Sequence, residues 1–141
     1  MVFTFIFASV VNFVIKNIVC RPRPFETYDF IINYGGEGGF SMPSGHSVCV
    51  AVLAVFICVY VFQTSKSLSL KTLTTIFAVL FALLVAFSRM VLGVHYLTDV
   101  IIGLLEGTII SSILLLIYTY YFNKLKRRII LNNLTDGEEN E

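Results

Sequence analysis

Apolar residues in this chain fall into four long blocks with short polar segments between them, from Val2 to about Val19, about Ser44 to Phe62, Thr72 to about Ser88, and about Thr98 to Phe122. About 20 helical residues cross a hydrocarbon core, and each block reaches or nearly reaches that length. Strands with open edges leave backbone groups unpaired in lipid, so the pattern predicts an all-α integral membrane bundle of about four transmembrane helices. Residues 1–122 are expected to form the membrane-embedded domain and residues 123–141 a cytoplasmic tail, basic at Lys124, Lys126, Arg127 and Arg128 and acidic at Asp136, Glu138, Glu139 and Glu141.

The polar segments set the topology. Arg21 to Pro43 holds Pro22, Pro24 and the glycines 35, 36, 38 and 39, which predicts a loop on one membrane face. Gln63 to Lys71 is short, so the helices on either side should be antiparallel, and a tight turn around Gly93 returns the chain once more. Lys66, Lys71 and the four basic residues of the tail then share one face, while Lys16, Arg21, Arg23 and Arg89 lie on the other. The positive-inside bias puts the first face, and with it the C-terminus, in the cytoplasm, leaving the long loop on the extracytoplasmic side of the cell membrane. Tyr118, Tyr120, Tyr121 and Phe122 fit an interfacial belt. The first block lacks the basic start and small-residue cleavage site of a secretory leader.

Composition agrees with lipid as the solvent: 57% of the 141 residues are hydrophobic, 13% are charged, and mean hydropathy is +0.85. A net charge of +1, with the basic residues split among small clusters, gives no surface for nucleic acid. Cys20, Cys49 and Cys58 have no metal-ligand spacing and read as small apolar side chains.

The remaining polar residues converge at the loop face. Lys16 ends the first block, Arg21-Pro22-Arg23-Pro24 follows it, Pro43-Ser44-Gly45-His46 opens the second, and Ser88-Arg89, His95 and Asp99 surround the last turn. If the fourth helix starts near Gly93, His95 and Asp99 share one face one turn apart, and the carboxylate can fix the imidazole tautomer, leaving the other nitrogen free to attack or take a proton. Pro43 to His46 stands where a helix begins, and its free backbone N–H groups and dipole suit an anion. Lys16, Arg23 and Arg89 place three positive charges at membrane boundaries, where a charge is costly unless it has a partner such as a phosphate. Each motif also has a bland meaning, as a self-satisfied helix start, a cap or a snorkelling side chain. Those meanings do not explain why the motifs gather. Two histidines and a carboxylate beside three cations make a poor divalent-metal site, so no metal or other cofactor is expected. Glu106 lies about two turns deeper than Asp99, where a carboxylate is costly unless paired or protonated, and is expected either to pair inside the bundle or to tune the site; Gly103 and Gly107 have the spacing that lets helices approach closely.

Lys16, six residues, Arg23-Pro24; then Pro43-Ser44-Gly45-His46; then Ser88-Arg89, five residues, His95, three residues, Asp99: in order and spacing these resemble the three-part signature of the type 2 phosphatidic acid phosphatase superfamily, relatives of the vanadium haloperoxidases. The resemblance runs from about residue 12 to 122. It implies that His95 forms a phosphohistidine and Asp99 orients it, while His46 protonates the leaving oxygen and then activates water. Lys16, Arg23, Ser44, Gly45 and Arg89 would hold the phosphoryl oxygens, with Ser88 as a further member. The implied substrate is a lipid phosphomonoester or diphosphate, of the phosphatidic acid, phosphatidylglycerophosphate or undecaprenyl diphosphate type. Integral members usually have about six spans with the lysine motif ending the third, so this chain corresponds to a shortened core. The alternative is a catalytically incomplete membrane protein that binds lipid phosphate headgroups; a transporter is weaker, since broken-helix signals are missing.

Overall fold

The computed structural model describes the backbone of residues 1–138 and side-chain surroundings through Ile129; Glu139 and Glu141 of the expected acidic end lie outside the described residues. Among the described residues the regular structure is all helical, with α1 at Val2–Val19, α2 at Pro24–Thr27, α3 at Gly45–Thr64, α4 at Leu68–Val91 and α5 at Leu97–Glu138. Four of these are long and apolar enough to cross a membrane. A bundle unit covers Met1–Ser111, and a second unit, starting at Ser112, carries the continuation of α5.

Local chemistry sets the ends. Cys20 takes the left-handed conformation, φ 48°, and returns its N–H to the Lys16 carbonyl before the two prolines forbid more helix. The expected loop from Arg21 contains one helical turn, α2, with Pro24 in its first turn and the Glu26 carboxylate accepting from the Arg23 N–H. The connection between α3 and α4 is shorter than the expected Gln63–Lys71: Ser67 Oγ accepts from Leu70 N at 3.3 Å, so α4 starts at Leu68. Gly93, at φ 72°, makes the last turn, and a side chain there would strike the Ile32 carbonyl at 2.6 Å. Helix α5 begins at Leu97, after His95, so His95 lies in the turn and not on the helix as expected. At the other end α5 runs on through the expected tail to Glu138, because Lys124 to Leu134 contains good helix formers and no Gly or Pro.

Packing inside the bundle uses small residues. Ala8, Val48 and Val52 are fully buried, with Phe5, Phe56 and Ile110 against them. On α4, Ala78, Ala82 and Ala86 form one buried stripe. Gly103 and Gly107 let α5 lie directly on the α3 backbone: a Cβ at Gly103 would come within 2.6 Å of the Ser44 carbonyl. Large apolar side chains such as Phe3, Phe13, Phe77, Leu84 and Leu105 face outward. In water they would form a sticky surface; in lipid they are the expected exterior. Deep in the bundle, Asn12 Nδ2 donates to Glu106 Oε2 at 3.2 Å, while Oε1 is buried without a hydrogen-bond partner among the described residues, so the carboxyl is half satisfied there.

The Gly103 contact predicts that Gly103→Val forces α5 off α3, at a cost of about 1–3 kcal/mol for overpacking. The unfolding midpoint in detergent, followed by circular dichroism, should fall; an unchanged midpoint would contradict the close approach.

Candidate active site

The antiparallel order of α1, α3, α4 and α5 brings four helix ends to one end of the bundle. Lys16 comes from the last turn of α1, His46 from the first turn of α3, Arg89 from the last turn of α4 and Asp99 from the first turn of α5. The loop adds Arg21 and Arg23, and the turn before α5 adds His95.

At their centre sits a residue that the motif reading passed over. The Glu37 carboxylate lies with Oε2 at 2.9 Å from Arg23 and 3.6 Å from His95 Nε2, and with Oε1 at 3.5 Å from both Arg89 and His46 Nδ1. Four of the expected site residues therefore surround one anionic group of the protein itself. Burial pushes this carboxyl upward, but the hydrogen bond and charge of Arg23, with His46 and His95 nearby, outweigh it and hold Glu37 below the usual carboxylate range. A clue was legible: Glu37 is the lone acid in a run of four glycines.

Arg23 is 3% exposed and uses four of its five N–H groups, to the carbonyls of Gly38, Gly39 and Val94 and to Glu37. It fastens the glycine loop over the site. Lys16 Nζ donates to the Phe40 carbonyl at 2.9 Å, and Ser41 bonds back to Arg21 and Pro22, closing the loop's far end.

His95 and Asp99 are both buried and close, but His95 Nδ1 is 3.6 Å from Asp99 Oδ2, beyond hydrogen-bond reach, and has no hydrogen-bond partner among the described residues. Asp99 is held by other groups. Its Oδ2 accepts from the Tyr96 N–H at 2.9 Å, a capping contact across the start of α5, and its Oδ1 pairs with Arg21 at 2.7 Å. Arg21 also stacks on the Tyr96 ring, 3.9 Å from its centroid. The first arginine of the Arg-Pro-Arg-Pro run is thus a site residue that sequence reasoning missed, placing the carboxylate that faces His95. Ser44 stands at the N-cap position of α3 with its Oγ buried and without a hydrogen-bond partner among the described residues, and its N–H donates to the Asp99 carbonyl at 3.0 Å. Gly45 opens α3 beside His46, which is exposed. Ser88 donates to the Val85 carbonyl and accepts from Arg89 Nε at 3.2 Å, so it steers Arg89.

A cavity of about 480 Å³ reaches from Lys16, Glu37, His46 and His95 down between α1, α3 and α4, where Phe5, Leu53, Phe81 and Val85 line it. Its head is charged and its walls are apolar. Among the described residues no group of three or more His, Cys, Asp or Glu side chains is placed to hold a metal ion.

A helical membrane bundle with this charged end defines a class, and the comparisons name it. The PAP2 superfamily model matches residues 1–125, and the chain belongs to that superfamily. It is 37% identical to phosphatidylglycerophosphatase B of Bacillus subtilis over 70% of this chain and 47% of that one, and 35% identical to lipid A 4'-phosphatase of Porphyromonas gingivalis over 74% and 43%. It is 32% identical to dolichyldiphosphatase of Saccharomyces cerevisiae over 74% and 45%. The chain thus spans about half the length of the curated relatives it matches. The crystal structure of a transmembrane PAP2-type phosphatidylglycerolphosphate phosphatase from Bacillus subtilis superposes with a TM-score of 0.72 at 32% identity, covering 89% of this chain and 59% of that one. That of Aquifex aeolicus LpxE gives 0.61 at 25% identity, covering 78% and 61%. The chain is a multi-pass membrane protein.

Two outcomes follow from the charge pairs. Arg21→Gln leaves the fully buried Asp99 carboxylate without its cation, which should lower stability in detergent by about 1–3 kcal/mol, less than for a dry pair because Arg21 is partly exposed. Glu37 is depressed in the folded state, so its contribution is present above about pH 4.3, the ordinary glutamate value, and is lost as pH falls below that and through its own lower value. Unfolding midpoints of the wild type and Glu37→Gln should therefore differ near neutrality and converge in acid.

Proposed function

We propose that the protein is a membrane phosphatase that hydrolyses a lipid phosphomonoester or diphosphate without a metal, through a phosphohistidine on His95. The observation that carries this reading is the placement of two imidazoles on the two oxygens of one carboxylate, with His95 Nε2 near Oε2 and His46 Nδ1 near Oε1. A phosphoryl group taking that place has a nucleophile on one side and a proton donor on the other. His95 Nε2 attacks phosphorus as the bond to the lipid oxygen breaks, and His46 gives that oxygen its proton. His46 then takes a proton from water, which attacks the phosphohistidine and releases inorganic phosphate. Arg23, Arg89 and Lys16, with Ser44 and the Gly45 backbone at the start of α3, neutralise the phosphoryl oxygens. Asp99, set by Arg21 and Tyr96, supports the imidazolium that forms on His95.

The lipid class is supported by the apolar walls of the cavity below the charged head. The names of the relatives agree, since they describe phosphatases of phosphatidylglycerophosphate, lipid A and dolichyl diphosphate. We place the site on the extracytoplasmic face and the C-terminus in the cytoplasm, because Lys66 and Lys71 lie at the opposite connection and four spans return the chain to their side.

Phosphate release from lipid monophosphates and diphosphates in detergent tests the reading. His95→Ala should lower the rate by about a thousandfold or more while the protein remains folded. Quenching into alkaline denaturant, which preserves the acid-labile phosphorus–nitrogen bond, should trap label from radiolabelled lipid phosphate on wild type and none on the variant. Wild-type protein that retains lipid phosphate without turnover would favour the headgroup-binding alternative.

A further inference from the structure

Glu37 needs a purpose, because it stands where a substrate would have to be. Attack requires phosphorus within about 3–3.5 Å of His95 Nε2. A Glu37 oxygen already lies 3.6 Å from that nitrogen, and the same carboxylate touches Arg23, Arg89 and His46. Carboxylate and phosphoryl group exclude each other. Resting on the reading of this site as a phosphoryl seat, we infer that Glu37 is a built-in competing anion that admits terminal phosphate dianions and turns away phosphodiester monoanions.

The exchange works by side-chain rotation. The backbone around Glu37 is tied down: Asn33 donates to the Glu37 carbonyl, Arg23 to those of Gly38 and Gly39, and Gly35 lies against Val94. The side chain is partly exposed, and among the described residues its ion pairs and hydrogen bonds all go to site residues. A Cβ at Gly36, Gly38 or Gly39 would meet nothing within 4 Å, so there is room beside Glu37 for the carboxylate to turn out.

Charge then decides which ligand displaces it. A phosphodiester carries one negative charge, as Glu37 does, so its exchange for the carboxylate gains no attraction from Arg23, Arg89 and Lys16. Glu37 is also tethered, at an effective concentration of about millimolar or more, and wins that exchange. A phosphomonoester carries about 1.5–2 negative charges near neutrality and brings extra charge to the same cations. The distinction matters at bilayer level, where intact phospholipids are diesters and surround the mouth of the cavity in excess.

The test is binding to the whole detergent-solubilised chain, at mildly alkaline pH, with two probes: inorganic phosphate and a short-chain phosphatidylglycerol. Wild type should bind phosphate far more tightly than the diester. Glu37→Gln, similar in size but uncharged, has no carboxylate to displace and should bind both probes at least about tenfold more tightly than wild type does, which brings the diester into measurable binding. Glu37→Asp keeps the charge one methylene further back and should fall between the two. Loss of fold alone would weaken both probes and cannot produce a gain for either. Equal diester affinity in wild type and Glu37→Gln overturns the inference while leaving the seat intact. Failure of wild type to bind phosphate at all removes the seat and the inference with it, whereas phosphate binding without turnover defeats only the catalytic reading.

Discussion

Positive charge at the edge of a hydrocarbon layer has to be met by negative charge close at hand. Arg23, almost wholly buried, and Arg89 and Lys16, partly buried, crowd one end of this bundle, and two acids answer them with Arg21. Asp99 is committed, fully buried and gripped by Arg21 and the Tyr96 backbone. The Glu37 carboxylate is held by Arg23, Arg89 and the two histidines, on a segment whose glycines leave open space around it. One acid is therefore architecture and the other is exchangeable, and the cationic end can be stable when empty yet still receptive to an incoming anion. The loop, the caps and the helix spacing all serve to keep this balance within a few ångströms.

The helices supply the rigidity. Close contact of Gly103 and Gly107 with the α3 backbone sets the first turns of α3 and α5 side by side, which puts His46 and Asp99 at fixed height. Interhelical packing in lipid gains little from apolar burial as such, so the contact must come from shape, and glycine gives the closest approach. The large apolar residues have no comparable duty: they face outward and need only be soluble in lipid. The cavity between α1, α3 and α4 joins the two regimes, charged at its head and apolar along its walls.

Much of this was legible in the sequence. Four apolar blocks gave four helices, and the spacing of Lys16, Arg23, His46, Arg89, His95 and Asp99 marked the end at which they meet. Boundaries were less legible, because they depend on single contacts: Ser67 extends α4 backward, and Asp99 reaching Tyr96 starts α5 after His95. Glu37 was missed because a glycine-rich loop has no periodicity, so nothing in the pattern says where its one acid points. Arg21 was missed because its neighbour Arg23 absorbed the motif, and the Arg21 partner is 78 residues away along the chain. Long-range pairings of that kind are fixed by tertiary closure and leave no local trace.

The bond from the Ser44 N–H to the Asp99 carbonyl joins the starts of α3 and α5 through main chain alone. Every amino acid but proline can supply such a donor and every amino acid such an acceptor. Side chains that face away from this joint, unlike the close-packed Gly103, can therefore drift over evolutionary time without unfastening it. A lineage would be free to rewrite the greasy exterior to suit a new lipid while inheriting the same pair of helix starts, aligned as before.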